Sequence, residues 1–531
     1  MLKFNKLSHI FYLKDSLSKL LLFAILLINY PAYSQFYDTG SEPTSVKWKQ
    51  INTNNFQIIF DEEFYSEANR IANILEYSYN SVSEGLNNKP KKVSVIIHNN
   101  TVKSNGYVSW APKRIEMYAT PSQEMYPQDW LEQLCVHELR HVVQIDKLNQ
   151  GITKILSIVF GQQATGVITG FLPLWYLEGD AVFTETVLTK SGRGRLPSFE
   201  KELRTILLCD EEQFSIYKTM FGSYKNFVPT YYKYGYNLRS YAQKRYGDSI
   251  SNNVENFVAK HPFTIFPFHF AIKKYTAGNI KNLYNDTYEY LDSTWKSEDI
   301  KSTNYQLFSD IKDKDYENYS DPQFVDNNKI IALKSGLSHL KQIVLIDSSK
   351  QSILHEPGIL SSQDLSYENN KVVWAEKRRD VRWENREYSE LQILDINSKQ
   401  IRQITSKSRY FAPDLSEKAN KIVCIESDKK NNCYLTFLST FNGKEYAKIK
   451  SPEGVFLQNP EWSTDNNFVY VIAVNKNGKG ILRYNLEKKI WENILPFSYD
   501  DIQNIRITGD NLYYHSSYSG IDNIYLHKIN T

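Results

Sequence analysis

The sequence is poor in cysteine, with four in 531 residues. That excludes a disulfide-dense scaffold in which cross-links stand in for a core. It also lacks an excess of either charge. Lys and Arg number 63 against 60 Asp and Glu, a formal net charge of +3. No basic field is present that would argue for a nucleic-acid partner. The chain is 41% hydrophobic and 23% charged, which argues against wholesale disorder and against many membrane spans. At roughly 100–200 residues per domain, the length allows about three domains. Tyrosine is what is plentiful: 38 residues, in a chain that is 14% aromatic. Such chains suit β-sheets and exposed recognition surfaces.

Long apolar runs are scarce too. Leu20–Ile28 (LLLFAILLI) follows Lys3, Lys6, Lys14 and Lys19 and precedes Ala32-Tyr33-Ser34, small residues at the −3 and −1 positions of a cleavage site. This is the layout of a secretory signal peptide over residues 1–34, with Gln35 as the mature N-terminus. The run is too short to span ~30 Å of hydrocarbon. No Cys adjoins the cleavage site, which argues against a lipid anchor there. The chemistry is therefore expected outside the cytoplasm: secreted, periplasmic or in the cell envelope. Such a compartment permits disulfides. Cys424 and Cys433 flank a turn-like stretch and are either paired across a hairpin or two buried free thiols. Cys135 reads as core.

From about Val46 to Lys301 strands and helices mix. SVKWKQI, NFQIIF, KKVSVIIH and Arg114–Tyr118 read as strands, and FYSEANRIANILEYSYNSVSEGL has apolar residues at helical spacing. Trp130–Leu148 is an amphipathic helix that begins after Pro127 and ends before Gly151; Trp175–Leu188 is a second. From about 196 to 300 the segments are mostly helical.

After about Ser302 the texture changes to short β-branched or aromatic segments separated by Asn, Asp, Gly and Lys clusters. Stacking DPQFVDNNKIIALKS, QDLSYENNKVVWAEK, APDLSEKANKIVCIESD, NPEWSTDNNFVYVIAV and QNIRITGDNLYYHSS aligns Pro322, Gln363, Pro413, Pro460 and Asn504, at steps of 41, 50, 47 and 44 residues. A period in the forties with four short strands per unit is a β-propeller signature. The repeat core resembles the blades of TolB-like or WD40-like propellers over about 319–531. Five blades can close a ring, and Tyr305–Ser309 is a candidate for the last blade's missing edge strand. A β-sandwich with accidental spacing is the alternative. The chain could equally be a fragment of a longer protein.

Val136–Val142 reads VHELRHV. On a helix, four steps of 100° bring His137 and His141 within about 40° of each other, roughly 6 Å apart, as two imidazoles on one tetrahedral Zn²⁺ require. Glu138, one step round, is placed to act as base toward the attacking water. The alternative is a satisfied histidine pair near a surface. Downstream, LPLWYLEGDAVFTET resembles the W-x-x-E-G-x-A helix of the gluzincin metallopeptidases. The resemblance implies an α+β zincin-like domain over 35–300, with Glu178 as third zinc ligand. Gly179 and Ala181 are read as small for close packing beside the first helix. Glu185, seven residues on, returns to the same face and is a candidate to orient a ligand histidine; a solvated face is its alternative. YYKYGYNLRSYAQKRYG resembles the Y-x-x-G segment of the family, which maps the oxyanion-stabilising tyrosine onto Tyr232. NGYVSWAPKRIEMY resembles the edge strand that runs beside the family's cleft and pairs with extended peptide.

Two departures qualify the resemblance. Glu178 follows His141 by 37 residues, about twice the gap of the best-known aminopeptidases. The extra length, GITKILSIVFGQQATGVITGF, is expected as a helix or hairpin beside the cleft. Its broken hydrophobicity argues against a span and leaves a membrane-touching lip over 151–171 as an option. The aminopeptidase GxMEN motif has no counterpart, so an endopeptidase acting on peptide or protein is preferred, with the propeller gating or recruiting substrate. The rival is a propeller-based binding or assembly protein of the cell envelope, its zincin domain structural. Intact HELRH argues against that, because losing the base would cost such a protein nothing. A serine hydrolase fits poorly, since no G-x-S-x-G follows the blades.

Overall fold

Alternation sets the first sheet. In β2 (Phe56–Asp61) Phe56, Ile58 and Phe60 are buried, and in β3 (Val93–His98) Val93, Val95 and Ile97 are, with intermediate residues between them. In the computed structural model, which describes residues 40–209, 213–276, 278–298, 306–309, 311, 315–348 and 350–529, these strands pair in parallel. The signal-peptide reading over 1–34 and residue Tyr305 lie outside the described residues. A parallel pair needs a crossover, supplied by helix α1 (Tyr65–Glu84), which turns Ile71, Leu75, Tyr79 and Val82 onto the sheet. With β1 (Trp48–Asn52), β4 (Ser104–Trp110) and β5 (Lys113–Ala119) the order is β1-β2-β3-β5-β4. β4 runs antiparallel to β5 and is one of the sheet's two edges, with β1 the other.

Helix α2 (Trp130–Leu148) starts at Asp129, whose side chain accepts from the Leu131 and Glu132 amides, each at 3.0 Å. It buries Leu131, Cys135, Leu139 and Val142 in the core shared with the sheet and α1. The 151–171 stretch forms two helices rather than a hairpin: α3 (Gly151–Phe160) and α4 (Gln163–Thr169). Then come α5 (Leu174–Leu188), α6 (Pro197–Leu208), α7 (Ile216–Phe221), α8 (Tyr231–Tyr246), α9 (Ile250–Lys260), α10 (Pro267–Tyr275) and α11 (Ile280–Lys296). A second core joins them through Trp175, Tyr176, Tyr234, Leu238, Val254 and Tyr288. Among the described residues no helix is long and apolar enough to cross a membrane.

Gly179 acts differently from its expected role. A Cβ on it would lie 2.2 Å from the Gly235 carbonyl carbon, and one on Gly235 2.0 Å from the Trp175 oxygen. The two glycines bring α5 against α8, the helix of Tyr232, rather than against α2.

Beyond residue 316 the chain is a five-bladed β-propeller. Four antiparallel four-stranded sheets span 317–355, 366–403, 410–450 and 456–498; the fifth, 502–528, has three strands among the described residues. Residues 306–309 carry no strand, so they do not complete the last blade. The repeated prolines have a structural reason. Pro322, Pro413 and Pro460 each sit in a bulge of their blade's first strand, where a missing N–H costs no ladder bond. Arg506 of the fifth blade reaches Asp321 of the first at 2.7 Å and Glu461 of the fourth at 3.0 Å, which joins the ends of the ring. Cys424 and Cys433 are free thiols on neighbouring strands. Cys424 faces Thr436 and Cys433 faces Ser427, so they stand three rungs apart and point into different cores.

Residues 42–531 form one compact unit. The propeller grips the segment that leaves the first sheet. Arg409 donates to the Thr101 carbonyl and Thr120 Oγ1, both at 2.8 Å; Asn431 donates to the Ala119 carbonyl at 2.8 Å; Gln458 donates to the Gln123 carbonyl at 2.5 Å.

Candidate metal centre

One face of α2 is committed to the core, and the other carries His137, Glu138 and His141 into a cleft of about 450 Å³. Helix α5 brings Glu178 opposite. The contacts form a triangle. His137 Nε2 and His141 Nε2 each lie 3.2 Å from Glu178 Oε2 and 3.2 Å from each other. Among the described residues this is the cluster of three or more His, Cys, Asp or Glu whose ligand atoms could share one ion.

The histidines' other nitrogens are occupied. His137 Nδ1 meets Glu185 Oε2 at 3.0 Å and also stands 2.9 Å from Arg193 Nη2, which can donate instead to Glu185 Oε2 at 2.9 Å; His141 Nδ1 meets Gln144 Oε1 at 2.8 Å. Donation from both Nδ1 atoms leaves both Nε2 lone pairs aimed at a carboxylate oxygen. In those neutral tautomers three lone pairs converge on one point. A tetrahedron of ligands about 2.0–2.1 Å from a centre has edges of about 3.3 Å, so the triangle is the size of a zinc site's ligand face. The residues fit a zinc ion.

Without an ion the same closeness favours protonated imidazoles, and a zinc ion bound there would displace those protons. Burial opposes the charged form of His141, but the facing Glu178 carboxylate outweighs it and raises the imidazole to about 9. His137 is raised likewise against burial, by Glu178 and Glu185, with Arg193 pulling the other way. Glu178 is itself held well below the ordinary carboxylate range, its burial overcome by the two imidazoles. Glu185 is fully buried, yet the Arg193 guanidinium and His137 bring it down to about 2.

Glu138 is different. Burial raises its pKa, and its Oε2 has no hydrogen-bond partner. Gly106 of β4 packs on it so closely that a Cβ would stand 2.9 Å from Glu138 Cγ. The edge strand β4 thus lies across the carboxylate, and Ser104–Val108 line the cleft. Tyr232 also lines it, stacked on Tyr231 at 5.0 Å and beneath the Arg193 guanidinium at 5.5 Å. Burial and the nearby Glu178 charge raise the Tyr232 hydroxyl's pKa, so it stays protonated.

The structure therefore brings together His137, Glu138, His141, Glu178, Glu185 and Tyr232. Glu185 is on no solvated face. Sequence reading missed their supports. Gln144 and Gln133 lie three residues after His141 and four before His137, a helical spacing that could have marked them. Gln144 donates to Asp180 at 2.9 Å, and Asp180 also takes Arg140 at 2.6 Å and Arg239 at 2.7 Å. An acid two residues after Glu178, in a helix that is otherwise largely apolar, was a visible signal for Asp180. Arg193, which bonds Glu185 Oε1 at 2.6 Å, had none, because only the fold returns it to the site.

No protein-family model matches the chain, and no curated protein matches it. Solved structures similar in part include TolB from Acinetobacter baumannii (12% identity, TM-score 0.30), covering 40% of this chain and 54% of that one. The β-propeller domain of the Trilobed protease from Pyrococcus furiosus shows 12% identity and a TM-score of 0.28, covering 40% and 82%. A nidogen/laminin complex shows 8% identity and a TM-score of 0.29, covering 38% and 72%. This chain thus spans about half the length of the TolB structure. The propeller rests on its own strand registers, not on these likenesses.

Proposed function

We propose that the chain is a secreted zinc-dependent endopeptidase of gluzincin type, whose propeller recruits or gates a peptide or protein substrate. The observation that carries this reading is the 3.2 Å triangle of His137, His141 and Glu178 beside a buried, unpartnered Glu138 carboxylate. A zinc ion held by those three side chains would act as Lewis acid toward the scissile carbonyl and make water more acidic. Glu138 accepts the attacking water's proton and returns it to the leaving amine nitrogen, a role its raised pKa suits. Tyr232, protonated at neutral pH, donates to the developing oxyanion. The free edge of β4 offers backbone groups to an extended peptide, which would align its scissile bond above Glu138.

The test is metal analysis of purified protein with a peptide-library assay on Glu138→Gln. The variant should keep about one zinc and lose nearly all hydrolysis, because the amide accepts no proton at neutral pH. Equal hydrolysis by wild type and variant would end the enzyme reading and promote the propeller-based binding protein in its place.

A further inference from the structure

The surface built from the inserted helix and a distant loop has a composition found nowhere in the proposed chemistry. No acidic residue occurs from Lys147 to Leu177, or from Asn256 to Asn285, in a chain with 60 of them. Within the first stretch, α3 leaves Ile155, Ile158, Val159 and Phe160 between 62% and 76% exposed. Within the second, Phe263, Ile265 and Phe266 are 67–77% exposed. The two stretches meet. Thr153 Oγ1 donates to the Ala259 carbonyl at 3.1 Å, and Gln150 to Asn256 Oδ1 at 2.8 Å. The start of α3 therefore sits on the end of α9, from which the 261–266 loop departs. Lys154, Lys260, Lys273 and Lys274 are exposed in the same stretches.

Scattered exposed apolar residues need no explanation, but a cluster this dense with one sign of charge does. Ile152, Ile155, Ile158 and Val159 recur at helical spacing and make one exposed apolar stripe, which Phe160 widens at the helix end before Gly161. A stripe flanked by lysines, in stretches without a single acid, is what lets a helix lie in the interface of an anionic bilayer. Pairing with a second copy would bring lysines against lysines. We propose that α3 and the 261–266 loop form a docking surface for an anionic lipid bilayer. The Lys113 amide donates to Gln162, just past α3, at 2.9 Å. The surface thus borders the β4–β5 turn, and docking would hold the outer end of the cleft's edge strand near the membrane.

The experiment is cosedimentation of the full chain with vesicles of phosphatidylcholine alone or with about a third phosphatidylglycerol. Wild type should bind the anionic vesicles and release with added salt. Ile158→Glu/Phe160→Glu and Phe263→Glu/Phe266→Glu should each bind at least roughly tenfold more weakly. Because Leu20–Ile28 is itself apolar, the contact is located by a polarity-sensitive dye on Phe160→Cys in a Cys209→Ser background, with Tyr77→Cys as control. The dye at 160 should shift to the blue on anionic vesicles and the dye at 77 should not. A dye at 160 that still reports water, or variants that bind as wild type does, would overturn the proposal. So would a dimer in solution, abolished by the same substitutions, with no blue shift on vesicles. The measurement needs neither metal nor peptide, so its failure leaves the proposed hydrolysis standing.

Discussion

At the residue scale the site is a contest between burial and pairing. Burial penalises every charge in it, and each charge survives only where a partner outweighs the penalty. Glu185 has three, Arg193, His137 and Gln133, and stays ionised with its Oε2 on His137 Nδ1. Its proposed function is to fix the tautomer that turns the Nε2 lone pair inward. Glu185→Gln should therefore weaken zinc binding roughly 10–100-fold without removing a ligand, as measured by competition with a chelating dye. Tyr232→Phe should act elsewhere. It removes one donor to the oxyanion and leaves the metal ligands alone, so zinc content should be unchanged while kcat falls roughly 10²–10³-fold in a peptide assay.

At the scale of elements, what was legible in the sequence is what local periodicity controls. HELRH implied a helix whose predicted bounds, Trp130–Leu148, coincide with α2, because Asp129 and the apolar stripe act within a few turns. The repeats were legible because their prolines mark bulges that recur once per blade. What was not legible depends on elements meeting. A small residue at 179 implies a close neighbour but not which one: it faces Gly235 across α5 and α8 rather than the first helix, a choice made only when those two helices meet. Cys424 and Cys433 looked opposable until the hairpin register set them three rungs apart. Asp180 belongs to this scale, since Arg140 of α2 and Arg239 of α8 converge on it from two helices. Burial alone would raise its pKa, but the two guanidinium groups hold it far below the ordinary value. A depressed carboxylate contributes fully above its unfolded pKa of ~3.9, and the contribution drains away as pH falls below that. Asp180→Asn leaves two buried arginines unpaired and should cost about 3–5 kcal/mol at pH 7. The deficit against wild type should narrow below pH ~4, as urea unfolding at both pH values would show.

At the scale of the whole molecule, the propeller braces one wall of the cleft from behind. Segment 119–126 leaves β5 and forms one wall through Ser122, Glu124, Met125 and Tyr126. Its backbone oxygens are held by propeller side chains: Ala119 by Asn431, and Ser122 and Gln123 by Gln458. Gln458 is buried and belongs to the fourth blade, so the wall's position depends on a residue more than 300 positions along the chain. That gives the proposed gating role of the propeller a physical form, in which a shift of blade four would move the wall of the cleft. Gln458→Ala removes the amide that satisfies the carbonyls of half-buried Ser122 and buried Gln123, at a cost of about 1–3 kcal/mol. Part of that cost should appear as a looser wall. If the proposed peptidase reading is right, kcat/KM should fall roughly tenfold, mainly through KM, while zinc content and the Glu138-dependent step stay intact. Hydrogen exchange of the 119–126 amides, measured on the same variant, should rise. Unchanged exchange there with unchanged KM would mean that the first sheet alone holds the wall, and the propeller would lose its part in the cleft.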